Sequence, residues 1–354
     1  MSPNSRQPGK AAWAARGFTL IEILVAMVIL VLILTLLLNM VSQTTSVWRS
    51  TMGHIQQFQR AREAFQILTT RLSRATLNTY WDYKRDASGT PTQYIRQSEL
   101  RFINGPCATL VGNVLGGAST TAASCPGQAV FFQAPGGISL SATDTLPGAL
   151  STWGYFVAYG NDTSYRPPVL AGLPTRYRFR LFELMEPSDQ LTIYNYTSGL
   201  DSSNNAKNPS YTGTQWFQTA VGLGSARMRI LAENVVALIV LPKLSADEDS
   251  TAAALAPNYS YDSTSTSAIA TTDPKNQLPP LVQVILVVVE ENSHVAWGPT
   301  PPNLGMATLF KDPTQQTSDL NTLESNLRNL GLKPHHFSLT VSLPASKWST
   351  NQTQ

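Results

Sequence analysis

Arg16-Gly17-Phe18-Thr19-Leu20-Ile21-Glu22 leads directly into Ile23-Leu24-Val25-Ala26-Met27-Val28-Ile29-Leu30-Val31-Leu32-Ile33-Leu34. From Ile23 to Val41 there is no charge, and only Thr35 and Asn39 interrupt the apolar run. Roughly 20 such residues at 1.5 Å rise match the ~30 Å hydrocarbon core of a bilayer. A single carboxylate, Glu22, stands where the run begins. A carboxylate in a spanning helix is costly unless it finds a partner, and no cation follows within the next helical turns. A cut after Gly17 would supply one, because it would free the ammonium of Phe18 one turn away.

A basic leader ending in Gly17, then Phe18-Thr19-Leu20-Ile21-Glu22 and an apolar helix, resembles the class III signal of type IV prepilins and type II secretion pseudopilins. The resemblance implies that a membrane prepilin peptidase cuts between Gly17 and Phe18 and that Phe18 is N-methylated. It also implies that Glu22 neutralises the amino terminus of a neighbouring subunit during filament assembly. The competing reading is an ordinary signal-anchor helix with an isolated acid. A removed secretory signal peptide fits less well, since the apolar run is too long and no Ala-x-Ala site follows it.

Charge agrees with a leader. The formal net charge is +3, from 25 Lys plus Arg against 22 Asp plus Glu. Arg6, Lys10 and Arg16 belong to the leader, and removing those three leaves 22 against 22. The basic balance of the precursor thus speaks for orientation, with the leader cytoplasmic by the positive-inside rule and the remainder periplasmic. It gives no sign of a nucleic-acid partner.

Beyond the apolar run, Phe58, Ala61, Phe65, Leu68, Leu72 and Ala75 recur at helical spacing, with Gln59, Arg60, Glu63, Arg71 and Arg74 mostly elsewhere. This predicts a second, amphipathic stretch of the same helix reaching about Leu77. Gly53 within it favours a local bend. Arg49, Arg60, Arg62, Arg71 and Arg74 form either a solvated face or pairs with acids of neighbouring subunits.

From residue 79 the texture turns to short β-type runs broken by Gly, Pro, Asn and Ser. Candidate strands are 99–103, 129–133, 155–159, 176–184, 228–231, 235–241, 282–290 and 337–343. The alternation in Tyr177-Arg178-Phe179-Arg180-Leu181-Phe182-Glu183 predicts one buried and one wet face. By contrast, Leu281-Val282-Gln283-Val284-Ile285-Leu286-Val287-Val288-Val289 reads as a central strand covered on both faces and too short for a second membrane span. The expected fold is α+β and pilin-like: a long N-terminal helix packed on a C-terminal antiparallel β-rich domain. The expected segments are a cleaved leader at 1–17, a membrane or filament-core helix at 18–41, an extracytoplasmic amphipathic helix at 42–78 and the β-rich domain at 79–354.

Ile230-Leu231-Ala232-Glu233-Asn234-Val235-Val236-Ala237-Leu238 and, after a loop, Leu278-Pro279-Pro280-Leu281-Val282-Gln283-Val284 are similar to the carboxy-terminal half of J-type minor pseudopilins and W-type minor pilins. Arg71-Leu72-Ser73-Arg74-Ala75-Thr76-Leu77-Asn78-Thr79-Tyr80-Trp81-Asp82-Tyr83 resembles the Verru_Chthon cassette protein C family, as does Tyr94-x-Arg96-Gln97-Ser98-Glu99-Leu100. That family implies a cassette of prepilin-like proteins without an assigned activity.

Cys107 and Cys125 bracket a Gly, Ala, Ser and Thr-rich segment with little reason to fold alone. In an oxidising periplasm they are expected to form a disulfide, the alternative being two buried thiols. Residues 197–214 and 245–277 are polar and rich in Ser, Thr and Asn, expected as surface insertions or contact loops. Near the end, Ser318 or Asp319 can cap a helix with Leu320, Leu323, Leu327 and Leu330 on one face, stopped by Gly331 and Pro334. His335 and His336 fall on opposite faces of a strand, which disfavours a shared metal. Asp247, Glu248 and Asp249 lack the spacing of a calcium loop, so no metal site is expected.

No nucleophile elbow, phosphate loop or zinc motif is present, and no catalytic residue or cofactor is expected. Two function classes remain. One is a minor pilin or pseudopilin, with a prepilin peptidase, other subunits and the inner membrane as partners. The other is a single-span, membrane-anchored periplasmic binding or adhesion module that does not polymerise.

Overall fold

The computed structural model describes residues 17, 19–115, 121–140, 148–199, 211–245, 248, 253–266, 272–290 and 297–349. The chain falls into two units, Met1–Gly53 and His54–Gln354. Helix α1 (Leu20–Leu72) begins in the first and continues into the second. In the first unit its apolar side chains are all exposed. An 18-residue window there reaches a mean hydropathy of 3.2 with none of it buried, so the helix is long and apolar enough to cross a membrane.

In the second unit the helix shows the expected stripe. Ala61, Ala64, Phe65, Leu68 and Leu72 are buried in the main core, together with Ala75 just beyond the helix. Phe58 is the exception, exposed at the margin with its ring 4.9 Å from that of Phe337. The helix closes at Leu72, short of the expected Leu77. The Arg74 and Ala75 N–H groups bond to the Arg71 and Leu72 carbonyls, a tightened last turn, and Thr76 N–H then bonds to the Gln133 carbonyl at 2.9 Å. Those three-residue bonds take up carbonyls that the helix end would otherwise leave open.

The strands are β1 (Tyr80–Arg85), β2 (Pro91–Gln97), β3 (Ile103–Pro106), β4 (Gln128–Pro135), β5 (Leu150–Asn161), β6 (Tyr177–Glu186), β7 (Met228–Glu233), β8 (Val235–Lys243), β9 (Tyr261–Asp262), β10 (Leu281–Val289) and β11 (Pro334–Ser342). They form a six-stranded sheet in the order β7-β6-β5-β4-β3-β9, a three-stranded sheet β11-β10-β8 and the hairpin β1-β2. Among the described residues these strands all pair antiparallel. The layout is thus α+β, a long helix followed by antiparallel sheets. The continuous apolar run is β10, the centre of its sheet, and its side chains from Val284 to Val289 are buried on both faces. Gly127 bridges to Leu238 at a φ of +79°, where an added Cβ would lie 2.2 Å from the Leu238 carbonyl oxygen. Only glycine fits so close a backbone approach at that φ.

Shorter helices complete the unit: α2 (Cys107–Leu115), α3 (Tyr194–Thr197), α4 (Gln215–Gly222) and α5 (Gln316–Asn329). Helix α5 places Leu323 and Leu327 in the core and is followed by Gly331 at a φ of +78°. Its start differs from expectation. Asp312 caps the preceding short turn through Thr314 N–H, while Asp319 accepts from Phe310 N–H at 2.8 Å.

Three expectations are corrected. Of residues 99–103 only Ile103 enters a strand, because side chains replace the ladder: Asn78 Oδ1 accepts from the Glu99 and Leu100 N–H groups, and Gln133 Oε1 from that of Arg101. Strand β6 has no wet face over 179–184, since Phe179 and Leu181 join the main core while Phe182 and Leu184 join a second core with α2 and α4. The charges on it are covered and paired, Arg180 by Glu233 at 3.0 Å. Finally, the stretch 245–277 is not a simple surface insertion. Leu255, Ala256, Tyr259 and Tyr261 are buried, and Asp262 holds Arg101 at 2.9 Å.

Candidate functional site

Helix α1 starts at Leu20, so Thr19 is its N-cap and Glu22 its third residue. The Glu22 carboxylate, through Oε2, accepts from the Thr19 N–H at 2.9 Å and from the Thr19 hydroxyl at 2.8 Å. Thr19 Oγ1 lies 3.4 Å from the Glu22 N–H in turn, and the Thr19 carbonyl accepts from Glu22 and Ile23. This is a capping box, the reciprocal arrangement that satisfies helix-start donors with one hydroxyl and one carboxylate. It also sets a negative charge at the positive end of the helix dipole. The carboxylate at the head of the apolar run is therefore not without donors. Among the described residues both of its bonds fall on one oxygen, which leaves Oε1 acceptor capacity for a further cation.

A Cβ added at Gly17 would meet nothing within 4 Å. Phe18 and the leader 1–16 lie outside the described residues. Within the apolar helix the hydroxyls of Thr35, Thr44, Thr45 and Thr51 each donate to the carbonyl four residues earlier, at 2.7–2.9 Å. Their polar groups are thereby satisfied inside the helix, as a lipid or protein-packed environment requires.

The remaining sequence candidates lie elsewhere. Cys107 and Cys125 are bonded, with Cα atoms 5.5 Å apart, and both are buried. The segment they bracket includes α2, whose Leu110 and Val111 are buried. His335 Nε2 lies 3.3 Å from Glu290, and His336 Nδ1 2.8 Å from Glu324, so the two rings serve different acids. Glu248 accepts from the Ser245 hydroxyl, while Asp247 and Asp249 lie outside the described residues. Among the described residues no three His, Cys, Asp or Glu gather as a metal site.

One charged cluster escapes sequence reading. Glu183, fully buried, accepts from the Tyr155 hydroxyl at 2.8 Å and pairs with Arg71 at 3.4 Å and with Arg229. Arg71 lies 3.6 Å over the Trp153 ring. Burial, reinforced by the adjacent Glu183 carboxylate, pushes the Tyr155 hydroxyl well above its ordinary value. A groove of about 600 Å³ beside it is lined by Glu63, Ile67, Arg71, Arg74, Ile138 and Trp153. Of its charged lining residues Arg71 is committed to Glu183, a pair that suits a structural clamp between helix and sheet.

The sequence signal for the capping box, Thr19-x-x-Glu22, was present but overshadowed by the apolar run. No comparable signal marks Glu183, whose partners lie 28, 46 and 112 residues away along the chain. No curated protein and no solved structure matches the chain. Residues 14–38 match the prokaryotic N-terminal methylation motif, and the chain thus carries a prepilin-type amino terminus on an apolar helix.

Proposed function

We propose that this chain is a minor pilin- or pseudopilin-like structural subunit of a type IV pilus or type II secretion-like filament. The observation that carries the reading is the methylation motif at 14–38, which spans Gly17, Phe18 and Glu22 and runs into the exposed apolar helix. A prepilin peptidase cuts after Gly17, leaving Phe18 as the N-methylated first residue. The precursor sits in the inner membrane with its leader cytoplasmic and its β-rich domain periplasmic. On assembly, Glu22 pairs through its open oxygen with the freed ammonium of a neighbouring subunit, while Thr19 continues to cap the helix. The similarities of 230–238 and 278–284 to J-type and W-type minor subunits support a minor rather than a major subunit, and those of 71–83 and 94–100 to the Verru_Chthon cassette protein C family support a prepilin-like one.

The test is incorporation. Epitope-tagged wild type, co-expressed with its assembly machinery, is expected in the sheared filament fraction, and Glu22→Ala is expected to remain in the membrane. Equal membrane retention of both would favour an anchored module that does not polymerise.

A further inference from the structure

Sheet edges offer unpaired N–H and C=O groups to any extended chain, and proteins ordinarily blunt them with charge, bulges, shortness or cover. In this protein the edges differ in how well they are blunted. Strand β7 is six residues long, bears Arg229 and Glu233 outward and has a bulge in its pairing. Strand β9 has two residues, and the β1-β2 hairpin combines a bulge with Asp82, Lys84 and Arg85. Strand β8 is almost wholly buried and is met by Gly127 and Asn104.

Strand β11 has none of these protections beyond its first residue. It runs nine residues in unbroken register with β10 and contains no Lys, Arg, Asp or Glu. The flanking bonds, Glu290 N–H to the Lys333 carbonyl and Leu343 N–H to that of Pro280, fix which residues face inward. Bonded pairs alternate along an antiparallel ladder. His335, Phe337, Leu339 and Val341 therefore exchange bonds with β10, whereas His336, Ser338, Thr340 and Ser342 turn their backbone groups outward. Among the described residues no backbone bond reaches those outward groups. Pro334 closes one end of the edge, having no N–H to offer.

A groove of about 400 Å³ runs beside this edge, between residues 336–339 and the helix side chains Arg62, Phe65, Gln66 and Thr69. Leu339 is 48% exposed at its margin. Arg62 has no ion pair among the described residues. Edge strand, flanking helix, apolar floor and one cation are the parts that strand addition uses.

We propose that β11 accepts an extended segment of a partner protein as a fourth strand, with alternate apolar side chains toward Phe65, Phe337 and Leu339 and a carboxylate against Arg62. A second copy of this chain pairing β11 to β11 fits less well, because it would bring two Arg62 cations together without adding an acid. The inference rests on the second unit alone and stands whether or not the chain enters a filament.

The experiment uses the full chain in detergent micelles and, as probe, an acetylated octapeptide of alternating Thr and Val with a free carboxylate. The amide N–H groups of Ser338 and Thr340 are expected to exchange at least tenfold more slowly with saturating peptide. Ser338→Pro with Thr340→Pro removes two outward donors without touching the β10 bonds and is expected to abolish binding. Arg62→Glu, on an otherwise native surface, is expected to weaken it about tenfold. Unchanged exchange with peptide, or equal binding by a folded proline variant, would overturn the proposal. So would undiminished affinity of Arg62→Glu, which also serves should the proline variant fail to fold. A concentration-dependent dimer of wild type, lost in the proline variant, would identify a second copy as the occupant and equally overturn it.

Discussion

The Glu22 carboxylate accepts both the backbone N–H and the hydroxyl of Thr19, at 2.9 and 2.8 Å, through a single oxygen. Two functions often ascribed to one acid can therefore be separated by substitution. Gln retains the acceptor that a capping box needs but carries no charge. Glu22→Gln is expected to keep the helix start and normal processing yet to fail in filament incorporation. Glu22→Ala loses the cap as well, and its first helical turn is expected to show faster amide exchange than in Glu22→Gln. Incorporation of Glu22→Gln at wild-type level would remove the charge from the account.

A second prediction concerns Glu183, which ties Arg71 of the helix to Tyr155 and Arg229 of the sheet. Removing one member of a buried, hydrogen-bonded ion cluster leaves the others without compensation, at a cost of about 3 kcal/mol. Glu183→Ala should lose about that much in urea unfolding. Glu183→Gln keeps an acceptor for Tyr155 and should lose less. Arg229→Ala, whose side chain is 57% exposed, should lose least of the three.

The disulfide gives a third. Cys107 and Cys125 close a loop with a sequence separation of 18, for which cross-linking contributes about 3 kcal/mol. Replacing both by Ser is expected to lower stability by about that amount in oxidising conditions and to make α2 the first segment to exchange its amides. A wild-type protein unaffected by reductant would contradict this.

Stability at low pH supplies a fourth. Burial acts to raise the Asp162 carboxyl, but hydrogen bonds from Arg166 and from the Arg176 N–H outweigh it and hold the group at about 2, below its ordinary 3.8. A depressed carboxyl contributes stability above its unfolded pKa, and that contribution is lost as pH falls through the folded one. The window is thus from about pH 4 down to about 2. Asp162→Asn is expected to be less stable than wild type by about 1 kcal/mol at pH 7, allowing for solvent screening. The difference should close across that window. A gap that stays constant to pH 2 would show that the ion pair does not govern it.

How far the sequence leads depends on how local each feature is. The apolar helix, the stripe from Ala61 to Ala75 and the central strand β10 are periodic or continuous runs, and each was legible because burial repeats along the chain. Glu22 was legible as an anomaly, and its donor Thr19 stood at capping-box spacing from it, a signal overshadowed by the apolar run that follows. Strand β6 misled because Arg178 and Arg180, two apart, look like a solvated face. The fold covers Arg180 and Glu183 with partners from β7, β5 and the helix, and no periodicity announces that. Tyr259 and Tyr261 sit in a polar stretch whose composition reads as loop, yet their rings are large enough to draw the chain into the core. Helix α2 was hidden by the Gly- and Ser-rich residues that follow it.

The central claim, that this is a processed prepilin-like subunit, is tested most directly by the intact mass of the protein purified from membranes containing a prepilin peptidase. The account predicts a mature chain that lacks residues 1–17 and begins at Phe18 with one added methyl group, and an uncut Gly17→Leu variant. A wild-type chain that still begins at Met1 beside an active peptidase, or a Gly17→Leu chain cut at the same bond, would contradict it.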